Sequence, residues 1–288
     1  MDNLQYFLGI DAGGTKCNAR LVDSKGMFVA KSTSDSANAV INLTLCQHYI
    51  VEVAKKALKQ SNLNLNIKDL TVVAGVAGAN LPEVKAQMQG WAHPFKKFRI
   101  ETDLYIACIG AHHGDGAVIV AGTGSAGIRL VDNKVKEFGG HGFLLGDKGS
   151  GAWIGLQALR YTLEESDGLH SRCDLCESVY TFFKTNKATD IISHSLNAPS
   201  SLFAQLAPQV VTLANQGNQA AVKIIKQAAT YFDKLIEQVL NESPLRLSML
   251  GGLSESIYPW LSPNSQKQLS TAISSPEYGA AILAMNLE

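Results

Sequence analysis

Apolar positions along this chain fall first in short runs and later at helical spacing. Tyr6 to Ile10 is an apolar run of strand length, Asp11-Ala12-Gly13-Gly14-Thr15-Lys16 interrupts it, and Ala19-Arg20-Leu21-Val22-Asp23 alternates as a second strand. Gly13-Gly14 can take positive φ at no steric cost, so the two runs are predicted to form a hairpin with Asp11 at its shoulder. Met27 to Lys31 reads as a third strand. Leu43, Cys46, Ile50, Val53, Ala57 and Leu58 then recur near a period of 3.6, the mark of a crossover helix. Further on come a strand over 70–78, whose small residues leave room for a ligand at its end, a helix over 83–91 and a strand over 98–103. Leu104 to Ala111 has helical character, so Asp103 stands at a strand end and a helix start.

The opening pattern then returns. Ala117 to Ala121 is apolar, Gly122-Thr123-Gly124 is a glycine turn, and Ser125 to Val131 is again strand-like, about a hundred residues after the first hairpin. A glycine-dense stretch, Phe138 to Trp153, runs into a helix through Leu156, Leu159 and Leu163. From Leu169 to Asn241 the spacing is helical, with breaks at Asn197-Ala198-Pro199 and Pro208. Leu245 to Gly252 is strand and glycine turn, Ser254 opens a helix, and the chain closes on an apolar helix after Ser275-Pro276. The class is α/β.

Composition narrows the partners. Of 288 residues, 46% are apolar and 17% charged, and 25 basic residues balance 25 acidic ones, so no bulk field attracts nucleic acid or anionic lipid. The first residues carry no basic signal region and no apolar run reaches the roughly 18 residues of a spanning helix, which predicts a soluble cytoplasmic protein without membrane attachment. Five cysteines are an odd number, and Cys17, Cys46 and Cys108 fall in predicted strand or helix cores, as suits a reducing compartment. Cys173 and Cys176 form a single C-x-x-C; with His170 and His194 they fit no common zinc spacing, and a helix face carrying two small buried thiols is the simpler reading.

The two glycine turns carry the candidate chemistry. Bare backbone lets N–H groups approach an anion closely, Thr15 and Lys16 stand beside the first turn, and Asp11 is placed to hold a hydrated Mg²⁺. Two such turns facing each other could grip one polyphosphate. Neither is G-x-x-x-x-G-K-[ST] or a helix-opening G-x-G-x-x-G. Asp103 either caps the helix beginning at Leu104 or accepts a proton from a reacting hydroxyl. Asp147, within Gly146-Asp147-Lys148-Gly149, is either a turn acid or a substrate contact, and Asn38 is open in the same way. His112 and His113 read as a solvated loop, Trp153 and Trp260 as core.

Taken together, Gly9 to Lys16, Thr102-Asp103, Ala121 to Ser125, Gly139 to Gly151 and Pro276 to Ala281 resemble the BadF/BadG/BcrA/BcrD ATPase family of the actin, hexokinase and Hsp70 superfamily. The likeness is greatest to its branch of N-acetylglucosamine and glucosamine kinases and covers nearly the whole chain. It implies two ribonuclease-H-like lobes with ATP in the cleft between them, the first over 1–112 completed by a final helix over 276–288, the second over 113–275. It further implies that Asp11 coordinates Mg²⁺ through water, and that backbone from Gly13, Gly14, Thr15 and Lys16 and from Gly122, Thr123, Gly124 and Ser125 holds phosphates. Gly251 and Gly252 match the adenosine-side turn. Asp103 matches the acid that accepts the sugar hydroxyl proton, and Asn38 and Asp147 match sugar-hydroxyl contacts. Hinges are expected near Ala111 to Asp115 and Ser274 to Glu277.

The function this implies is ATP-dependent phosphorylation of N-acetylglucosamine to its 6-phosphate, with glucosamine as the alternative substrate and a homodimer as the assembly common among relatives. A more distant alternative is an ATP-hydrolysing activator of a partner enzyme. That branch carries a cluster-ligating cysteine for which no clear counterpart is found here. A sugar-binding module without catalysis is a third reading, opposed by the presence of both Asp11 and Asp103.

Overall fold

A computed structural model describes residues 5–35, 38–40, 42–241 and 245–287. Ser36, Ala37 and the last residue of the expected final helix, Glu288, lie outside the described residues. The chain divides into two compact units, residues 1–118, 128–136 and 271–288 on one hand, 119–127 and 137–270 on the other.

The first unit is built on a five-stranded sheet of order β3-β2-β1-β4-β5. Its strands are β1 (Tyr6–Ala12), β2 (Cys17–Asp23), β3 (Phe28–Ser34), β4 (Thr71–Val76) and β5 (Lys97–Thr102). The first three are antiparallel; β4 runs parallel to β1, with Asp11 opposite Gly75, and β5 parallel to β4. Strand alternation divides the core between the two faces. Leu8, Ile10 and Ala12 pack with Cys46, Ile50 and Val53 of α1 (Leu43–Ser61). Phe7 points the other way, into a cluster with Ile106 of α3 (Asp103–His112) and Ala280, Ala281 and Ala284 of α12 (Pro276–Met285). By that alternation Gly9 and Asp11 share the second face. Helix α2 (Pro82–Gln89) joins β4 to β5.

Glycine lets β1, α3 and α12 approach this closely. A Cβ on Gly9 would strike the backbone of Glu277 and Ala281, and one on Gly279 would strike Ile106 and Gly110. The small residues expected to leave ligand room after β4 serve the same end: a Cβ on Gly75 would meet the Ile106 side chain, and Gly78, at φ +90°, lies against Val40. That space is filled by protein.

The second sheet has the order β8-β7-β6-β9, from β6 (Gly116–Ala121), β7 (Ser125–Val131), β8 (Lys134–Gly139) and β9 (Leu247–Leu250). Its long connection runs through α4 (Gly151–Ser166), α5 (Asp174–Phe183), α6 (Ala188–Ser195), α7 (Ser200–Ala204), α8 (Ala207–Asn215) and α9 (Gln219–Leu240). Pro208 opens α8 within its first turn, where a missing N–H costs nothing. Helices α10 (Ser254–Ile257) and α11 (Pro263–Gln268) follow β9. None of the described helices is long and apolar enough to cross a membrane.

Several expectations change. His112 departs from the solvated loop expected of it, ending α3 with Nε2 2.7 Å from the Ala117 carbonyl oxygen, whereas His113, the left-handed C-cap 3.1 Å from Ser274 Oγ, is exposed. The two segments expected to hinge are tied to each other, since Ile273 and Ser274 donate their N–H groups to the carbonyls of Ala111 and Gly110. Trp153 and Trp260 are half-buried and not core. Cys176 is buried in α5, but Cys173 stands at its N-cap, the two sulfurs 3.9 Å apart. Among the described residues no group of three or more His, Cys, Asp or Glu side chains is arranged to hold a metal ion directly.

Candidate active site

In the first unit the site residues collect at the carboxyl end of β1. Ala12 pairs with Cys17, and the turn between them closes on a bond from Gly13 N–H to the Lys16 carbonyl, 3.0 Å. Neither Gly13 nor Gly14 takes the positive φ expected of it. Their advantage is bareness: a Cβ on Gly13 would crowd the Lys16 carbonyl at 3.3 Å, and one on Gly14 would lie 3.9 Å from Asn38 Nδ2. The turn is exposed from Gly14 to Lys16. Asn38 Oδ1 accepts from the Val40 N–H at 2.9 Å, so it is the turn residue its type suggests, with its amide directed toward Gly14.

Asp11 is half-buried, and its carboxyl is pushed up to about 8, chiefly by desolvation, then by the charges of Asp103 and Glu277, against a hydrogen bond from Asn18. Asp103 is delivered by β5 and α3. Thr102 is the N-cap, accepting from Tyr105 N–H at 3.1 Å, so the cap role that competed for Asp103 belongs to its neighbour. The Asp103 carboxylate accepts from Leu104 N–H at 3.0 Å, in the first turn where the helix dipole favours negative charge. Glu277 and Asn18 are members of this site that the sequence reading missed. Glu277 lies 266 positions from Asp11, and only the Gly9 approach of α12 signals that they meet.

The second unit holds its glycine turn differently. Gly122 N–H donates to Gly124 O at 3.0 Å, and the first amides of α4 donate to the turn's carbonyls, Gly151 to Gly122 at 2.8 Å and Ala152 to Thr123 at 3.2 Å. Asp147, itself at φ +51°, lays its carboxylate over the turn: its Oδ2 would be 2.9 Å from a Cβ on Gly124, and it accepts the N–H groups of Ser125 and Gly142. Burial raises its pKa and these bonds pull it back. Ser125 is buried and its hydroxyl donates to the Lys148 carbonyl at 2.8 Å, which makes it a brace. Gly251, at φ +103°, comes so close to Ala121 that a Cβ would strike its carbonyl, whereas Gly252 faces open space.

Two β-sheet units of this topology, each with a glycine turn after its first strand, define an α/β protein of the actin-like ATPase fold. The model of the BadF/BadG/BcrA/BcrD ATPase family matches residues 8–284, and the chain belongs to that family. It is 32% identical over 283 residues to the glucosamine kinase GspK of Vibrio cholerae serotype O1, spanning 98% of this chain and 96% of that one. It is 27% identical to the N-acetyl-D-glucosamine kinase of Dictyostelium discoideum, over 98% of both chains. A solved structure from Chromobacterium violaceum, 26% identical, matches with a TM-score of 0.92 over 98% of this chain and 99% of its own.

Proposed function

We propose that this protein is an ATP-dependent amino-sugar kinase that transfers the γ-phosphoryl group to the 6-hydroxyl of N-acetylglucosamine. The observation that carries the reading is the placement of Asp103 at the start of α3, next to Thr102 as the N-cap and within electrostatic reach of Asp11. Phosphoryl transfer needs an oriented hydroxyl and stabilised phosphoryl charge more than covalent work by the protein. Asp103 orients the sugar hydroxyl and takes its proton as oxygen bonds to phosphorus and the bond to ADP breaks. Backbone of the two turns offers donors to phosphate oxygens, and Asn38 and Asp147 contact sugar hydroxyls.

Asp11 suits Mg²⁺: a carboxylate forced up by burial and by two neighbouring acids gains most from a nearby cation, and the want of a direct three-ligand cluster among the described residues favours contact through water. When bound, the ion neutralises phosphate charge. The greater identity to the glucosamine kinase favours glucosamine as a second substrate reading. An ADP-coupled assay with ATP and both sugars tests the proposal; turnover of neither sugar sinks it, and the ratio of kcat/KM values decides between them. We further propose a cytoplasmic protein that assembles as a homodimer, an assembly checked by sedimentation.

A further inference from the structure

The second unit carries a groove of about 660 Å³ along the outer face of α9, beside the loop that carries Asp147. Lys223, Lys226 and Lys234 project from that helix, Lys148 and Tyr231 complete the wall, and no acidic residue lines it. None of the four lysines makes an ion pair among the described residues. In a chain whose basic and acidic residues balance at 25 each, four ammonium groups without an ion-pair partner around one concavity are a local excess. Like charges one helical turn apart repel by a few tenths of a kcal/mol, so the arrangement costs stability unless something anionic offsets it.

We propose that this groove binds the phosphate chain of a linear polyphosphorylated molecule. Helical rise separates Lys223 from Lys226 by about 4.5 Å and Lys226 from Lys234 by about 12 Å along the axis, so the charges form a row that an extended chain of phosphates follows better than a single phosphate. Lysine supplies compact point charges suited to phosphate oxygens, and the open groove favours a flexible chain over a planar carboxylate. The same chemistry is presented by inorganic polyphosphate and by the triphosphate tail of a nucleotide. An anion held there is also one residue from Asp147, and Tyr231, which hydrogen-bonds Ser125, forms its wall, so occupancy is felt at the second glycine turn.

The test is calorimetric titration of the full chain, without sugar, with sodium tripolyphosphate and separately with ATP. The double variant Lys223→Gln/Lys226→Gln, matched to wild type in its thermal melt, is expected to lose at least about tenfold in affinity. Lys223→Arg/Lys226→Arg is expected to keep it, and raised salt to weaken the wild-type interaction. Loss for tripolyphosphate alone assigns the groove to free polyphosphate, and loss that includes ATP assigns it to the nucleotide tail. The proposal is overturned if the Gln double variant binds both as wild type does, if wild type binds neither, or if Lys55→Gln/Lys59→Gln on α1 weakens binding equally. Binding is read without turnover, so failure of the kinase reading would leave the outcome interpretable.

Discussion

The two glycine turns look alike as sequence and are supported in different ways. Gly13 to Lys16 is an exposed turn closed by one backbone bond, with its acid, Asp11, two residues before it on the strand. Gly122 to Ser125 is braced from three sides, by the first amides of α4, by the carboxylate of Asp147 and by the close approach of Gly251. The first resembles a donor surface left open beside an acid that burial and its neighbours hold near neutrality. The second resembles a preorganised one, whose geometry is set before any ligand arrives.

The largest expected effect falls beside the first turn. Asp103→Asn should lower kcat by about 10²- to 10⁴-fold in the coupled assay while ATP binding and the thermal melt stay as in wild type. A rate near that of wild type would remove the proton acceptor from the first unit. Stability should separate the turns next. Gly251→Ala forces a Cβ into the Ala121 carbonyl at a φ of +103°, and should cost roughly 1–3 kcal/mol in denaturant unfolding. Gly13→Ala, at ordinary φ and 3.3 Å from its nearest neighbour, should change stability much less and show itself in KM for ATP. Equal costs at the two positions would erase the distinction between an open and a braced turn.

Asp147→Ala should strand the Ser125 and Gly142 amides, costing about 1–3 kcal/mol if water does not reach them, and should raise KM for the sugar. A further effect is electrostatic. The Asp11 carboxyl stands at about 8 in the folded chain against 3.8 for an ordinary one, so between those values the folded state holds a proton that the unfolded chain has lost. Stability should therefore fall as pH rises from about 4 to about 8. In the presence of chelator, Asp11→Asn should flatten that fall, melting at a higher temperature than wild type at pH 8 and at a similar one at pH 4. A wild-type melt that rises across this range would mean that Asp11 is already compensated.

Local pattern made much of the fold legible. The apolar run of β1, the alternation of β2, the 3.6 spacing of α1 and the fully buried run of β4 each reflect a burial pattern that a strand or helix must satisfy. The edge strand β8 escaped because Lys134-Val135-Lys136-Glu137 has no buried face to mark it. Glycine was the harder residue to read. At Gly13 and Gly14 the expected positive φ is absent, whereas Gly139, Gly140, Gly142 and Gly149 all take it, as does the non-glycine Asp147. A sequence names the residue that can do either job without saying which constraint, dihedral or crowding, applies.

The strand and helix periods, the two glycine turns in register and the acids at Asp11, Asp103 and Asp147 were all determined by the order of residues, because each depends on neighbours a few positions away. Whether Asp103 or Thr102 caps α3 was decided by the three-dimensional chain, since two adjacent polar residues compete for the same amides. So were the approach of Glu277 to Asp11 and the clamp of Asp147 on Ser125. Both rest on distant glycines that leave out a side chain, Gly9 where the backbone of α12 approaches and Gly124 where the Asp147 carboxylate lies.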